Sequence, residues 1–168
     1  LKAIVVVDLE GGADSFNMLI PHSECKGGVD LYQEYATVRT SAALSKAELL
    51  QIQVEEGTQP CSRFGMHPDM KFMQQLYTDG DAAWIANIGT MIEPLTAAEY
   101  TAKTKLSPPG LFAHNIQQIT VQTVFAQEPA AKGVLGRAID VLLRKQAVSF
   151  KSALYSIRGK PRILEGSV

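Results

Sequence analysis

The stretch Lys2–Pro21 reads KAIVVVDLEGGADSFNMLIP and opens with an unbroken apolar run at residues 3–7. Such a run, rich in β-branched residues and apolar on both faces, is typical of a central parallel strand that helices cover on both sides. A pair of glycines among acidic residues follows at once: Asp8, Glu10, Gly11, Gly12 and Asp14. Because glycine permits a sharp turn, this pattern predicts carboxylates at the carboxyl end of the strand, where open α/β sheets bind ligands. An ordinary strand-to-helix turn with solvated acids is the alternative interpretation.

The composition is that of a soluble globular protein. The chain has 168 residues, of which 46% are hydrophobic and 20% are charged, which suits one domain better than two. The formal net charge of −1 gives no electrostatic reason to expect nucleic acid or an anionic membrane surface as a partner. No apolar stretch approaches the ~20 residues of a transmembrane helix. Because the chain starts on the predicted strand without an initiator Met, we expect a processed amino end, which leaves a removed export signal open.

The two cysteines, Cys25 and Cys61, are separated by 36 positions and lie in loop-like stretches. There is no CxxC pair, so a metal cluster built on cysteine is not expected. One disulfide in an oxidising compartment and two free thiols in a reducing one are both compatible with this spacing.

Later periodic segments complete the predicted fold. A helix is predicted after Pro68, and a second buried strand is predicted at residues 82–88. Strand, helix and strand in this order indicate a right-handed crossover and a parallel sheet. Capping and periodicity predict further elements, namely helices at residues 31–39, 97–104 and 133–143 and a third strand at residues 152–157. The predicted fold class is therefore α/β, with a mostly parallel central sheet flanked by helices. In it, residues 1–168 form a single domain or the N-terminal part of a larger one.

Several short motifs occur in an order that resembles one protein family. They are GGAD with a following Asn at residues 11–17, FGMHP at residues 64–68, AxxG at residues 86–89, LFAHNxQQ at residues 111–118 and GRAIDVL at residues 136–142. Together these motifs resemble the domain-of-unknown-function family 1501 over roughly residues 1–145. Members of that family are largely exported bacterial proteins, related in fold to alkaline phosphatases and sulfatases.

The resemblance implies an alkaline-phosphatase-like sheet and an exported, metal-dependent hydrolase that acts on phosphate or sulfate esters. By position, Asp14 is the candidate ligand of a divalent metal such as Zn, Ca or Mg, and Asp8 is a second candidate. His114, Asn115 and Asn17 are candidate contacts for the anionic substrate. Hard cations prefer carboxylate oxygens, and a helix amino end stabilises an anionic ester. The alternatives are that Asp14 caps a helix and that His114 is a buried, hydrogen-bonded histidine.

Two departures from the family pattern leave two functions open. Ala113 stands where relatives often carry Ser, so a hydroxyl nucleophile is missing from that position. The family domain is also about twice as long, and its further Asp and His ligands come from the additional half. The chain is therefore either the N-terminal portion of a hydrolase or a non-catalytic structural or binding component of a larger assembly, with a protein partner.

Overall fold

The structure is a computed structural model, and it describes residues 3–9, 11, 13–86, 88–128, 130–145, 154–157 and 159–167. The chain divides into two compact units, Leu1–Asn87 (unit 1) and Ile88–Val168 (unit 2). Unit 1 contains one sheet and two helices, which are β1 (Leu19–Cys25), α1 (Leu31–Arg39), β2 (Leu50–Gln53), β3 (Cys61–Met66) and α2 (Lys71–Thr78). Unit 2 contains α3 (Ala97–Ala102), α4 (His114–Thr123) and α5 (Val134–Arg144). Among the described residues, no helix is both long enough and apolar enough to cross a bilayer.

The sheet of unit 1 has the order β1-β3-β2, and both neighbouring pairs are antiparallel. Both faces of the sheet are covered, and the buried apolar side chains of the unit are Ile20, Leu49, Ile52, Cys61 and Met66. In the strand register Ile20 shares a face with Gly65, whereas Ile52 and Met66 lie on the opposite face. Gly65 lies beneath Leu49, because a Cβ placed on Gly65 would come within 2.6 Å of the Leu49 side chain. The small core therefore depends on one position of β3 having no side chain.

A disulfide links the edge strand β1 to the central strand β3. Cys25 and Cys61 are directly opposite in the β1–β3 register, and their sulfurs are bonded. The register shifts between Pro21 and Ser23, which makes His22 the extra residue of a β-bulge. Of the two cysteine states left open by the sequence, the disulfide is the one found.

The outer edge of β2 is occupied by side chains of α2. Val54 N donates to Ser62 O at 3.0 Å, so alternate residues of β2 face β3 and the carbonyls of Gln51 and Gln53 face outward. The Gln74 side-chain amide donates to Gln51 O at 2.8 Å, and the Tyr77 hydroxyl donates to Gln53 O at 3.2 Å. The helix thereby satisfies carbonyls that an unprotected edge strand would expose.

The predicted α/β class with a mostly parallel central sheet is wrong. In the described part of the chain the strands form one three-stranded antiparallel sheet, and residues 3–9 have no regular secondary structure. Val5 is 84% exposed, and its neighbours Ile4 and Val7 are exposed as well. The physical reason is that a valine run favours an extended backbone but becomes a strand only by pairing, and in the described residues β3 pairs with β1 and β2 instead.

Two further strand predictions also differ from the structure. Residues 82–86 and 88 have no regular structure, and Ile85 and Ile88 are each 76% exposed. The predicted strand at residues 152–157 lies partly outside the described residues, and residues 154–157 contain no strand. The helix predictions are confirmed: α1, α2, α3 and α5 lie at the predicted places. A helix can be predicted from local sequence alone, whereas a strand forms only when a neighbouring strand pairs with it.

In unit 2, α5 packs through glycine instead of leucine. Gly136 and Asp140 are its buried residues, whereas Leu135 and Ile139 are half-buried and Leu142 is exposed. The hydroxyls of Thr120 and Thr123 on α4 are buried and donate to the carbonyls of Gln117 and Thr120, both at 3.1 Å. Arg137 on α5 donates to the Thr123 carbonyl at 2.8 Å and so satisfies a carbonyl at the carboxyl end of α4 that has no partner within the helix. The packed surfaces of unit 2 are therefore more polar than the periodicity indicated.

Candidate functional site

The Asp14 carboxylate forms an ion pair with Arg39 at the end of α1. Asp14 stands at the cap position of a 3₁₀ turn, Ser15–Asn17, but its side chain accepts no capping hydrogen bond there. The guanidinium of Arg39 also lies over the Phe16 ring, 5.8 Å from the centroid. The glycine-rich loop is thus tied to α1 by charge and by an aromatic contact.

Asn17 extends this network to the segment after α1. The Tyr35 hydroxyl donates to Asn17 Oδ1 at 2.6 Å, and the Asn17 amide donates to Ala42 O at 2.9 Å. The same Tyr35 hydroxyl accepts from Leu44 N at 2.9 Å. Asp14 and Asn17, which the sequence selected as candidate site residues, therefore lie in one polar network with Tyr35 and Arg39.

Tyr35 and Arg39 were missed by the sequence analysis. They stand four residues apart on α1, so their side chains project from one face of the helix. Once Asp30 is recognised as the cap of that helix, this spacing shows that a phenol and a guanidinium share a face. What the spacing could not show is that the face meets the loop at Asp14.

The carboxylates do not form a metal site by themselves. Asp8 is exposed in the segment 3–9, and Asp14 is engaged by Arg39. Within the described ranges, no three His, Cys, Asp or Glu side chains lie together as a group that could hold a metal ion. Divalent cations bind proteins through several such donors, so a metal at Asp14 or Asp8 would need ligands other than those described.

His114 and Asn115 belong to the other unit. Both are exposed in the first turn of α4, and Ala113 is the cap residue of that helix. Ala113 contributes only main chain, accepting from Gln117 N at 2.9 Å. The predicted site residues thus fall into two groups, Asp8, Asp14 and Asn17 in unit 1 and His114 and Asn115 in unit 2.

The histidine with a perturbed pKa is His22, which the sequence analysis did not select. It is 9% exposed at the bulge of β1, and its Nδ1 lies 2.9 Å from Ser23 Oγ. Burial holds the pKa of His22 below its ordinary value, and the positive charges of Lys46 and Arg63 act in the same direction. Its neutral form is therefore part of the folded structure of unit 1.

The Asp14 network can therefore hold a loop in place. It brings together the carboxylate of Asp14, the guanidinium of Arg39 and the phenol of Tyr35. Arg39 Nε is buried and has no hydrogen-bond partner among the described residues. Comparison of the chain with protein-family models, with curated proteins and with solved structures finds no match.

Proposed function

We propose that the chain is a non-catalytic binding component of a larger, exported assembly, which it joins through residues 3–9. The observation that carries the proposal is the exposure of this apolar segment, in which even Val6, the least exposed of its valines, is 49% exposed. Contiguous exposed apolar surface of this kind marks sites of protein interaction. Burying three of these side chains would contribute roughly 4–8 kcal/mol towards the cost of association, to which main-chain hydrogen bonds with a partner would add.

The partner we propose is an extended strand of another polypeptide. Residues 3–9 are rich in β-branched side chains and have no regular secondary structure, so their backbone is suited to pairing with an added strand. The disulfide between Cys25 and Cys61 supports export, because such bonds persist in oxidising compartments.

A library of displayed random 12-residue peptides tests this function directly. Peptides selected on the chain should be rich in β-branched and aromatic residues, as strand pairing requires. They should bind the double variant Val5→Lys/Val7→Lys about tenfold or more weakly, because both lysines project from one side of the segment. Val38→Lys is the matched control, since Val38 is also exposed but lies on α1. Equal binding to all three proteins would reject the proposal.

A second candidate, the N-terminal portion of a metal-dependent hydrolase for phosphate or sulfate esters, is favoured by the Asp14 network. The Arg39 side chain is 24% exposed beside Asp14, and a guanidinium is a suitable donor to an anionic ester oxygen. In this hypothesis Asp14 and Asp8 bind the metal with donors from outside the described residues. Within unit 1, Asn17 is its candidate contact to the anion.

Metal analysis and an ester assay separate the two candidates. A hydrolase should retain a divalent metal after purification and cleave p-nitrophenyl phosphate or sulfate. Asp14→Asn should abolish the activity, whereas Asp30→Asn, the same change at a helix cap where asparagine still accepts the capping hydrogen bond, should retain it. If the protein is metal-free and cleaves neither ester, the hydrolase hypothesis is rejected. If peptide binding is also lost in the Val5→Lys/Val7→Lys variant, the binding function is supported.

A further inference from the structure

In unit 2, the segment at residues 161–167 lies directly on the glycine face of α5. A Cβ placed on Gly136 would be 2.2 Å from the Glu165 carbonyl carbon, and one placed on Gly133 would be 1.9 Å from Arg162 O. Real side chains do not come this close to a main chain. The segment and the amino-terminal part of α5 therefore meet backbone to backbone, which only glycine at both positions permits.

The segment is held mainly through its own main chain, and its Glu165 carboxylate also lies 4.0 Å from Lys132 Nζ. Gly133 N donates to Glu165 O at 2.9 Å. Ile163 N donates to Gln122 Oε1 on α4 at 3.1 Å, and Ser167 N donates to Asp140 Oδ2 on α5 at 2.6 Å. These three hydrogen bonds would form with any peptide of the same backbone path, because none uses a side chain of the segment.

Asp140 adds selectivity to this main-chain recognition. The residue is 3% exposed, so the hydrogen bond donated by Ser167 N offsets part of the cost of burying its carboxylate. The other carboxylate oxygen, Oδ1, would be 2.6 Å from a Cβ on Gly166. A Cβ at the position before the donated N–H would therefore displace the buried Asp140 carboxylate, which favours glycine there. Ile163 and Leu164 are half-buried, which favours apolar side chains at those two positions.

We propose that Gln122, Gly133, Gly136 and Asp140 form a peptide-binding groove that residues 161–167 occupy in cis. Its ligand class is an extended peptide with two adjacent apolar residues followed, two positions later, by glycine. A matching peptide from another polypeptide would displace the cis segment and bind in its place. This inference is independent of the function proposed for residues 3–9.

The test uses a fluorescein-labelled peptide with the sequence of residues 161–167, PRILEGS, titrated with the full chain while anisotropy is measured. The wild-type chain should bind weakly, because a tethered segment competes at an effective concentration on the order of 1 mM. The chain variant Gly166→Ala should bind the peptide about tenfold more tightly, because the added Cβ weakens only the cis segment.

Two matched changes decide the outcome. A peptide with alanine in place of its glycine should bind the Gly166→Ala chain about tenfold more weakly than PRILEGS. Adding Asp140→Asn to that chain should weaken PRILEGS several-fold, because asparagine keeps the shape and removes the charge that strengthens the hydrogen bond. Gly136→Ala is not used, since it would disturb folding as well. No binding of PRILEGS to the Gly166→Ala chain at about 1 mM, or equal affinity for the glycine and alanine peptides, would overturn the proposal.

Discussion

At the scale of single residues, Val124 is one of four described non-glycine residues with a positive φ. It ends α4 with φ of 52°, the left-handed conformation in which a β-branched residue is a rare outlier. The main chain accepts this strain because Val124 N donates to the Thr120 carbonyl at 2.9 Å and closes the last turn of the helix. Glycine is the residue that this position favours.

Val124→Gly is therefore expected to stabilise the protein by about 1 kcal/mol, since the relief of strain exceeds the added freedom of the unfolded chain. Urea unfolding followed by circular dichroism measures the change. Val121→Gly is the matched control, because Val121 is also exposed but lies inside α4. That change should destabilise by roughly 0.5 kcal/mol, the difference in helix propensity between valine and glycine. A loss of stability in Val124→Gly would contradict the backbone conformation described for this residue.

The same scale shows why the candidate site was only partly predictable. The helix at residues 31–39 was predicted correctly because its cap is local: Asp30 Oδ1 accepts from Gln33 N, three residues away. The partner of Asp14 was not predicted, because Arg39 lies 25 residues further along the chain. Carboxylates at a loop are visible in the sequence, whereas the guanidinium that reaches one of them is fixed by tertiary packing.

At the scale of elements, α3 has the strongest local electrostatics. Thr96 and Glu99 form a reciprocal capping box, and Lys105 Nζ lies 2.9 Å from Glu99 Oε1. The hydrogen bond from Lys105 is the largest cause that lowers the pKa of Glu99 to about 2, and the bonds from Thr96 act in the same direction. The ionised Glu99 is thus part of the cap.

We expect α3 to lose its cap in strong acid. Because the pKa of Glu99 is lowered from 4.5 to about 2 on folding, its contribution is fully present above pH 4.5 and is lost as the pH falls towards 2. Carbon-13 NMR of the Glu99 carboxyl group, titrated from pH 6 to 1.5, measures this pKa. Lys105→Ala should return the midpoint most of the way to its ordinary value. An unchanged midpoint in that variant would show that Lys105 does not bind Glu99.

Helices were more predictable than strands in this chain for a physical reason. A helix satisfies its own hydrogen bonds, so caps and periodicity suffice to find it. The strands that form, LIPHSEC, LQIQ and CSRFGM, contain few β-branched residues, whereas the valine run does not pair in the described structure. Strand formation depends on which neighbour is reached first and packs best, which the composition of one segment does not reveal.

At the scale of the folded units, the disulfide is the main covalent constraint of unit 1. It closes a loop with a sequence separation of 36 residues, which limits the freedom of the unfolded chain. The double variant Cys25→Ala/Cys61→Ala should therefore lose about 2–4 kcal/mol of unfolding free energy. Dithiothreitol should lower the stability of the wild type by a similar amount and leave the double variant unaffected. A wild type that is insensitive to the reductant would contradict this role.

Unit 1 should also be sensitive to mild acid through His22. Its pKa is lowered on folding, so the stability is fully present above pH 6.5, the ordinary value, and falls as the pH drops below it. Chemical unfolding at pH 7.5 and at pH 5 measures the effect. His22→Gln should remove most of the difference between the two conditions, whereas His67→Gln should keep it. Equal acid sensitivity in wild type and His22→Gln would assign the effect to other groups.

The side chains of Gln74 and Tyr77 on the carbonyls of β2 have a consequence for self-assembly. A sheet with two open margins can add copies without limit and grow into a filament, but here one margin is already blocked. If two copies met through β1, the result would be a six-stranded pair whose two outer borders both end in α2. Growth would therefore terminate at the dimer.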